Sequence, residues 1–298
     1  MANRRLLVKR RKSIRNIRKI TRTMQLIATA RFQAAFNRAV ASRPYTEKLA
    51  ELTADLARAG DGSDHPLLRT QDPSAPGALV VVSSSRGLCG GYNASVLRTA
   101  AAKLEATRAA GAGSEGMELH VHGKKGIAFF KFTRQAMASQ SFAIGEAPKF
   151  DEVEPIANEL LRRFLAGEIS AVHLTYMRFY SAGKQRPETI QLLPLVPSSA
   201  PGGVTAASSV DRQVNYEFRP DPKSLLDALL PATARIRRFQ AFLDAAVSEQ
   251  IARMVAMKAA TEASEEMIKT LSRQYNRARQ THITMELLDI FGGANALA

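Results

Sequence analysis

The sequence predicts an α/β protein in which two long terminal helices flank a central domain of alternating strands and helices. Three observations carry this. Residues Ala2 to Arg43 contain neither Gly nor Pro, and the same holds for the sixty residues from Ala232 to Phe291. A typical globular helix has about 11–12 residues, so both runs describe rods, the second reaching roughly 90 Å at 1.5 Å per residue. Between them the apolar residues fall into short strand-like runs separated by helical stretches.

Taken in order, the N-terminal helix carries Ile14, Ile17, Thr21, Met24, Ala28 and Phe32 in near three-and-four steps, a seam for a partner helix. Met1 to Thr46 hold thirteen of the 42 Lys and Arg and no carboxylate. The rest of the chain carries 29 bases against 27 acids, so the net charge of +15 is local to one arm. Such an arm also suits a mitochondrial transit peptide, a helix for nucleic acid or anionic membranes, or a merely solvated face. The seam favours pairing with the C-terminal rod, because a discarded or surface-lying peptide needs no such register. Pro44 is expected to bend the helix, which resumes at Tyr45 and ends at Gly60.

Asp61 to Gly77 is rich in Pro and Gly and reads as a linker. Strands are expected at Ala78–Ser84, Glu118–Gly123, Ser139–Ile144 and Ala171–Tyr180. Helices are expected at Tyr92–Ala110, Lys124–Arg134 and Glu152–Ala166. This alternation implies parallel βαβ units with right-handed crossovers. The last strand is expected to pair with Thr189–Leu195 across a turn at Ser181–Pro187. Pro197–Asp211 reads as a mobile loop and Tyr216–Phe218 as a final short strand. The domains are then residues 1–60, 61–220 and 221–298.

The C-terminal rod carries a stripe at Ile236, Phe239, Leu243, Ala246, Gln250, Met254, Met257, Thr261, Ser264, Ile268, Leu271, Tyr275, Ala278, His282 and Met285. Its polar members, Gln250, Thr261, Ser264 and His282, loosen the seam and disfavour a tight homodimeric zipper. A rod this thin cannot bury its own stripe, so it needs company.

Composition narrows the function classes. With 45% apolar residues the chain can build a real core. The single cysteine, Cys89, excludes an internal disulfide framework and suits a reducing compartment. No run approaches the ~20 apolar residues that a membrane-spanning helix needs.

Enzymatic readings are weak. Gly111-Ala112-Gly113-Ser114-Glu115-Gly116 spells G-x-G-x-x-G but follows a helix and precedes a strand, the reverse of the dinucleotide-binding order. Ser83-Ser84-Ser85-Arg86-Gly87-Leu88-Cys89-Gly90-Gly91 does lie between strand and helix, where anions can bind. It lacks a lysine placed for β and γ phosphates, so a glycine turn contacting another protein is the better reading. His120 and His122 share a strand face but have no third ligand at metal spacing. Cys89 could be a nucleophile at a helix N-terminus; with no recognisable base it reads as a packing residue. Neither catalysis, cofactor nor metal has support here. An interaction or mechanical protein fits best, with a nucleic-acid-binding or scaffold protein using the basic arm as the alternative and an enzyme using the Gly87–Gly91 loop as a third.

Both ends carry a specific resemblance. Ile283-Thr284-Met285-Glu286-Leu287-Leu288-Asp289, followed by Gly293-Ala294, matches the pattern I-T-x-E-x-x-[DE]-x-x-x-G-A of the F-type ATP synthase γ subunit family. Gln274 to Gln280, Ala252-Arg253-Met254, Lys12-Ser13-Ile14, Ile17 to Thr21, Met24 and Arg86 to Gly91 also resemble that family. Ser85, Gln25 and Arg219 stand where the family usually has Asp, Lys and Glu, which puts particular interfacial ion pairs in doubt. The regulatory insert of the plant type, with its cysteine pair, is missing. The resemblance implies an antiparallel coiled coil of the terminal helices flanking a Rossmann-like domain with a mostly parallel sheet. It also implies a non-catalytic rotor shaft inside a hexamer of α and β subunits, resting beside ε on the c-ring. The site would then be peripheral, at the cytoplasmic face of a bacterial inner membrane, attached through the Fo sector and without nucleic acid. Arg279, Gln280, Thr284 and Glu286 would contact β and α loops, while Met24, Arg86, Cys89 and Arg253 would lie near the acidic rim of β.

Overall fold

The computed structural model describes residues 4–59, 65–69, 71–72, 74–109, 116–142, 147–195 and 222–297. In chain order the elements are α1 (Arg4–Ala59), β1 (Gly77–Val82), α2 (Tyr92–Ala109), β2 (Met117–His122), α3 (Lys124–Phe132), β3 (Ser139–Ser141), α4 (Phe150–Leu165), β4 (Ala171–Ser181), β5 (Lys184–Leu193) and α5 (Pro222–Leu297). The readings made for residues 111–115, 197–211, 216–218 and Arg219 fall outside the described residues. The chain packs as two compact units, Met1–Ala30 with Arg253–Ala298, and Arg31–Ala252.

In the first unit α1 and α5 pair in opposite directions. Thr261 Oγ1 lies 2.9 Å from Thr21 Oγ1, Arg18 is 3.7 Å from Glu265, and the Arg11 guanidinium sits 4.8 Å over the Tyr275 ring. As numbers fall along α1 they rise along α5. Leu7, Thr21 and Ala28 are buried on one side, and Met257, Thr261, Ser264 and Leu271 on the other. This seam is as polar as the stripe implied. One expected member is displaced: Ile17 is 43% exposed, and its neighbour Arg18 takes the half-buried position. The reason is the heptad phase: Leu7, Ile14, Thr21 and Ala28 are seven apart and the half-buried positions between them, Arg11, Arg18 and Gln25, come four residues later, which leaves Ile17, three after Ile14, off the stripe. The Arg18–Glu265 pair is exposed enough to contribute little.

The second unit holds a five-stranded sheet of order β3-β2-β1-β4-β5. The first four strands run parallel, and β5 is antiparallel to β4. The order places β2 and β3 on one side of β1 and β4 on the other, a doubly wound arrangement with its switch point between β1 and β4. Alternate side chains divide the core. Ala78, Val80, Val82, Val172, Leu174 and Tyr176 face a cluster with α4 and α5. Leu79, Val81, Leu119, Val121 and Met177 face α2 and α3.

Three local expectations are corrected. The β4–β5 hairpin turns at Ala182-Gly183, so β5 begins at Lys184, and Pro187 pairs with Met177 inside the strand. A proline is tolerated there because β5 is an edge strand with no further ladder to serve. The Pro- and Gly-rich linker is tied down at several points: Leu67 is fully buried and its carbonyl accepts from Leu195 N–H at 2.9 Å, His65 stands 3.1 Å from Asp227, and Ser170 Oγ donates to Ala75 O at 2.8 Å. The third correction concerns α5, which starts at Pro222, with that proline in its first turn where it is tolerated, and runs on through Pro231. From Gln240 to Gln250 every residue is buried. A single stripe was expected, but this stretch is enclosed on all sides, and its small residues Ala241, Ala245, Ala246 and Ser248 allow close approach.

Asp244 lies inside that enclosed stretch at 6% exposure. It accepts a hydrogen bond from Gln240 Nε2 at 3.0 Å, and Arg43 stands 4.0 Å away. Burial pushes its carboxyl up to about 6, against the opposing effects of Gln240, Arg43 and Arg178, while Glu188 adds to the rise. A carboxyl raised on folding holds its proton more tightly in the folded state. Its cost is therefore fully present above pH 6 and is relieved as pH falls toward the ordinary value near 3.8. Asp244→Asn should accordingly stabilise the chain by about 1–2 kcal/mol at pH 8 and by much less at pH 4.5. Denaturant titrations at the two pH values check this; an equal difference at both would remove the carboxyl as the cause.

Candidate functional site

Two surfaces, one in each unit, carry the residues singled out in the sequence. The first is the carboxyl edge of the sheet, where the chain leaves β1 through Ser83 to Gly91. Asn93 in the first turn of α2 ties this loop down. Ser84 N–H donates to Asn93 Oδ1 at 3.0 Å, and Asn93 Nδ2 donates to Ser84 Oγ at 2.8 Å and to Cys89 Sγ at 3.2 Å. Cys89 is 2% exposed and packs with Tyr92 and Val96, as a packing residue should. Arg86 and Leu88 are exposed, and Leu88 and Gly90 take positive φ of 62° and 56°.

Backbone groups that could cradle a phosphate are used internally. Ser83 Oγ donates to His122 O at 2.7 Å and accepts from Gly126 N–H at 2.9 Å, and Lys125 N–H donates to Ser84 O at 3.0 Å. The closeness of β1's end to α3 depends on a residue the sequence reading missed. Gly123 has φ 96°, and a Cβ there would stand 2.1 Å from Ser83 O. By contrast, a Cβ at Gly87 or Gly91 would meet only ordinary contacts. Of the three loop glycines, Gly90 is the one whose positive φ calls for glycine.

The switch-point crevice itself holds the chain's own helix. Tyr92 Oη donates to Ala245 O at 3.2 Å, and Ser248 Oγ donates to Met177 O at 3.3 Å. His122, the last residue of β2, meets Arg238 Nη2 at 3.3 Å and the Phe242 ring edge-on at 5.2 Å. In open α/β sheets a dinucleotide lies across this crevice. Here α5 lies in its place.

The two strand histidines part company chemically. His120 Nδ1 is 2.7 Å from Ser139 Oγ on β3, and its Nε2 is 3.5 Å from Glu118, which Arg163 holds at 2.7 Å. His122 faces a guanidinium, a neighbour that opposes a bound cation. Among the described residues no cluster of three or more His, Cys, Asp or Glu could hold a metal.

The second surface is the end of α5. The register that sets Thr21 against Thr261 puts Arg4 opposite Ala278, so the described part of α1 offers no partner beyond that point. From Thr281 to Ala294 every residue is exposed. Ile283, Met285, Leu287, Leu288, Ile290 and Phe291 are 42–68% exposed. His282 and Met285, expected on a seam, are therefore uncovered. Arg279, Gln280, Thr284 and Glu286 are exposed as well, with Thr284 Oγ1 donating to Gln280 O at 3.0 Å and Glu286 paired with His282 at 3.1 Å. Met24 is half-buried and Arg253 is buried at 6% exposure.

The family profile described as ATP synthase matches residues 3–297. A curated protein of Rhodopirellula baltica named ATP synthase gamma chain is 43% identical over 297 residues, covering 100% of this chain and 99% of its own. The chain belongs to the ATP synthase γ-chain family. A γ chain of Leptospira biflexa is 38% identical over 300 residues, with 100% of each chain covered. Among solved structures, the rotor of Euglena gracilis mitochondrial ATP synthase in rotational state 1 aligns with TM-score 0.60 and 16% identity, over 94% of this chain and 98% of that one. The OSCP/F1/c-ring structure of the same enzyme in rotational state 3 aligns with TM-score 0.65 and 18% identity, over 99% and 94%. At this identity the likeness is one of fold. Membership in the γ-chain family replaces the nucleic-acid reading of the basic arm, two of whose arginines, Arg11 and Arg18, face α5 in the seam. No helix among the described residues is long and apolar enough to cross a membrane.

Proposed function

We propose that this γ chain is the non-catalytic rotor shaft of a proton-translocating ATP synthase. It turns with the c-ring at the cytoplasmic face of a bacterial inner membrane and drives ATP synthesis at β subunits. One observation carries the reading: a helix enclosed on all sides at Gln240–Gln250 continues to a terminal stretch exposed on every side and rich in large apolar residues. Exposed apolar surface of this kind marks a partner contact. Six such residues around one helix suit a sleeve of surrounding subunits, here an alternating hexamer of α and β, better than a single flat partner. A shaft alters β only if it touches the three copies unequally, because a contact equal in all states shifts no population. Arg279, Gln280, Thr284 and Glu286 supply polar contacts along that exposed end, and Met24 and Arg86 supply contacts nearer the rim of β. Cys89 and Arg253, being buried, act by holding the surface around them. ε rests against the central unit, and attachment to the membrane runs through the Fo sector.

Co-purification of the tagged full chain from its own membranes should recover α, β, ε and c subunits. Added to isolated α and β, the chain should raise their ATPase activity, while alone it binds no Mg-ATP in the micromolar range by calorimetry. Recovery of nucleic acid or unrelated proteins, or micromolar Mg-ATP binding by the chain alone, would overturn the reading.

A further inference from the structure

At the β3 end of the sheet, the short helix α3 forgoes stability at both of its ends. Lys124 and Lys125 occupy its first turn, where no carboxylate offsets them and cations oppose the helix dipole. Past its C-cap at Thr133, Arg134 takes φ 54°, a left-handed conformation that suits glycine and strains any residue with a Cβ. Between these ends Phe132 is 88% exposed, the highest value of any large apolar side chain among the described residues. Folding gains from none of the three. We propose that α3 and the β3 edge form a docking surface for an acidic, extended segment of another protein.

Charge selects the partner. From Gly123 to Phe142 the sequence has four bases, Lys124, Lys125, Lys131 and Arg134, and no acid, and all four are exposed. Such a surface repels a second copy of itself and attracts carboxylates. The sheet selects the partner's form. β3 ends the sheet, with Ser139 and Gln140 exposed, and a free edge is where an added strand completes its backbone hydrogen bonds. Lys124 joins the two parts: it opens α3, and its Nζ lies 5.6 Å over the ring of Phe142, which follows β3 and is 65% exposed. A strand beside β3 presents alternate side chains to opposite faces of the sheet, so every second residue reaches the face on which α3 packs through Ile127 and Phe130. Carboxylates at those positions meet the four bases. A membrane or a nucleic acid makes no use of a strand edge, which is why the segment is a protein's.

The test uses the full chain and a short synthetic peptide of alternating Glu and Val. Backbone ¹H–¹⁵N spectra should show saturable shifts confined to Lys124–Phe142, and the β3 amides should gain protection from hydrogen exchange. Binding should weaken as salt rises, and the same peptide with Lys in place of Glu should not bind. Arg134→Gly separates docking from folding: it should raise the melting temperature, because glycine accepts the positive φ, while weakening the peptide about two- to fivefold. Lys131→Gln should weaken the peptide by a similar factor with no rise in melting temperature. Lys184→Gln, at the start of β5 on the other edge of the sheet, should change neither. An Arg134→Gly chain that binds as the parent does would overturn the proposal, as would shifts lying outside Lys124–Phe142. Equal shifts of the same amides by phosphatidylglycerol vesicles or by a single-stranded oligonucleotide would overturn it too, since the surface would then answer to negative charge alone.

Discussion

Gly123→Ala should abolish the folded central unit. A Cβ at this position would stand 2.1 Å from the carbonyl oxygen of Ser83 and 2.7 Å from its carbon, both backbone atoms. Neither can swing aside, because Ser83 N–H donates to His122 O at 2.9 Å and Val82 is bound in the ladder to His122. The φ of 96° adds a backbone strain of about 1–2 kcal/mol for any residue with a Cβ. Relief of the clash requires the start of α3 to move off the end of β1, which breaks the Gly126 N–H to Ser83 and Lys125 N–H to Ser84 bonds as well. The combined loss should be about 4 kcal/mol or more, a large share of a domain's stability. Soluble yield and thermal unfolding by circular dichroism read this directly. Gly87→Ala and Gly91→Ala, whose added Cβ meets only ordinary contacts, should change stability by less than about 1 kcal/mol. A Gly123→Ala chain melting within a few degrees of the parent would disprove the account.

Gly123 also marks where sequence reasoning stops. Its requirement comes from the close approach of Ser83, forty residues earlier, and no local pattern records that. Gly90 and its neighbours drew attention because three glycines cluster, yet only the φ of Gly90 calls for one. The long helices were legible because absence of Gly and Pro is a local property. The sheet was legible because strand and helix periods alternate along the chain. The γ-chain pattern at Ile283–Ala294 was legible for the same reason, being a run of adjacent residues. What surrounds a helix is not local. A stripe assumes one buried side, and between Gln240 and Gln250 the sheet edge, α1 and α2 leave no exposed side at all. Arg237 and Arg238 lie off the stripe, and both are buried all the same.

Arg238→Met should make the chain more stable, by about 2–4 kcal/mol near neutral pH. The guanidinium is fully buried, with one hydrogen bond to a neutral imidazole and the Phe242 ring 5.8 Å away. Burial lowers its pKa to about 9. A base lowered on folding binds its proton more weakly in the folded state, so its cost is fully present below pH 9 and is relieved only as pH rises above that. Methionine fills similar space with no charge to desolvate, and what it forfeits among the described residues is the bond to His122 Nε2, worth about 1 kcal/mol, and the guanidinium's contact with the Phe242 ring. Arg238→Ala should move the other way, because the cavity it leaves outweighs the relieved charge. Denaturant midpoints of the three chains at pH 7.5 in chloride decide the matter; a methionine chain less stable than the parent would mean the guanidinium is compensated.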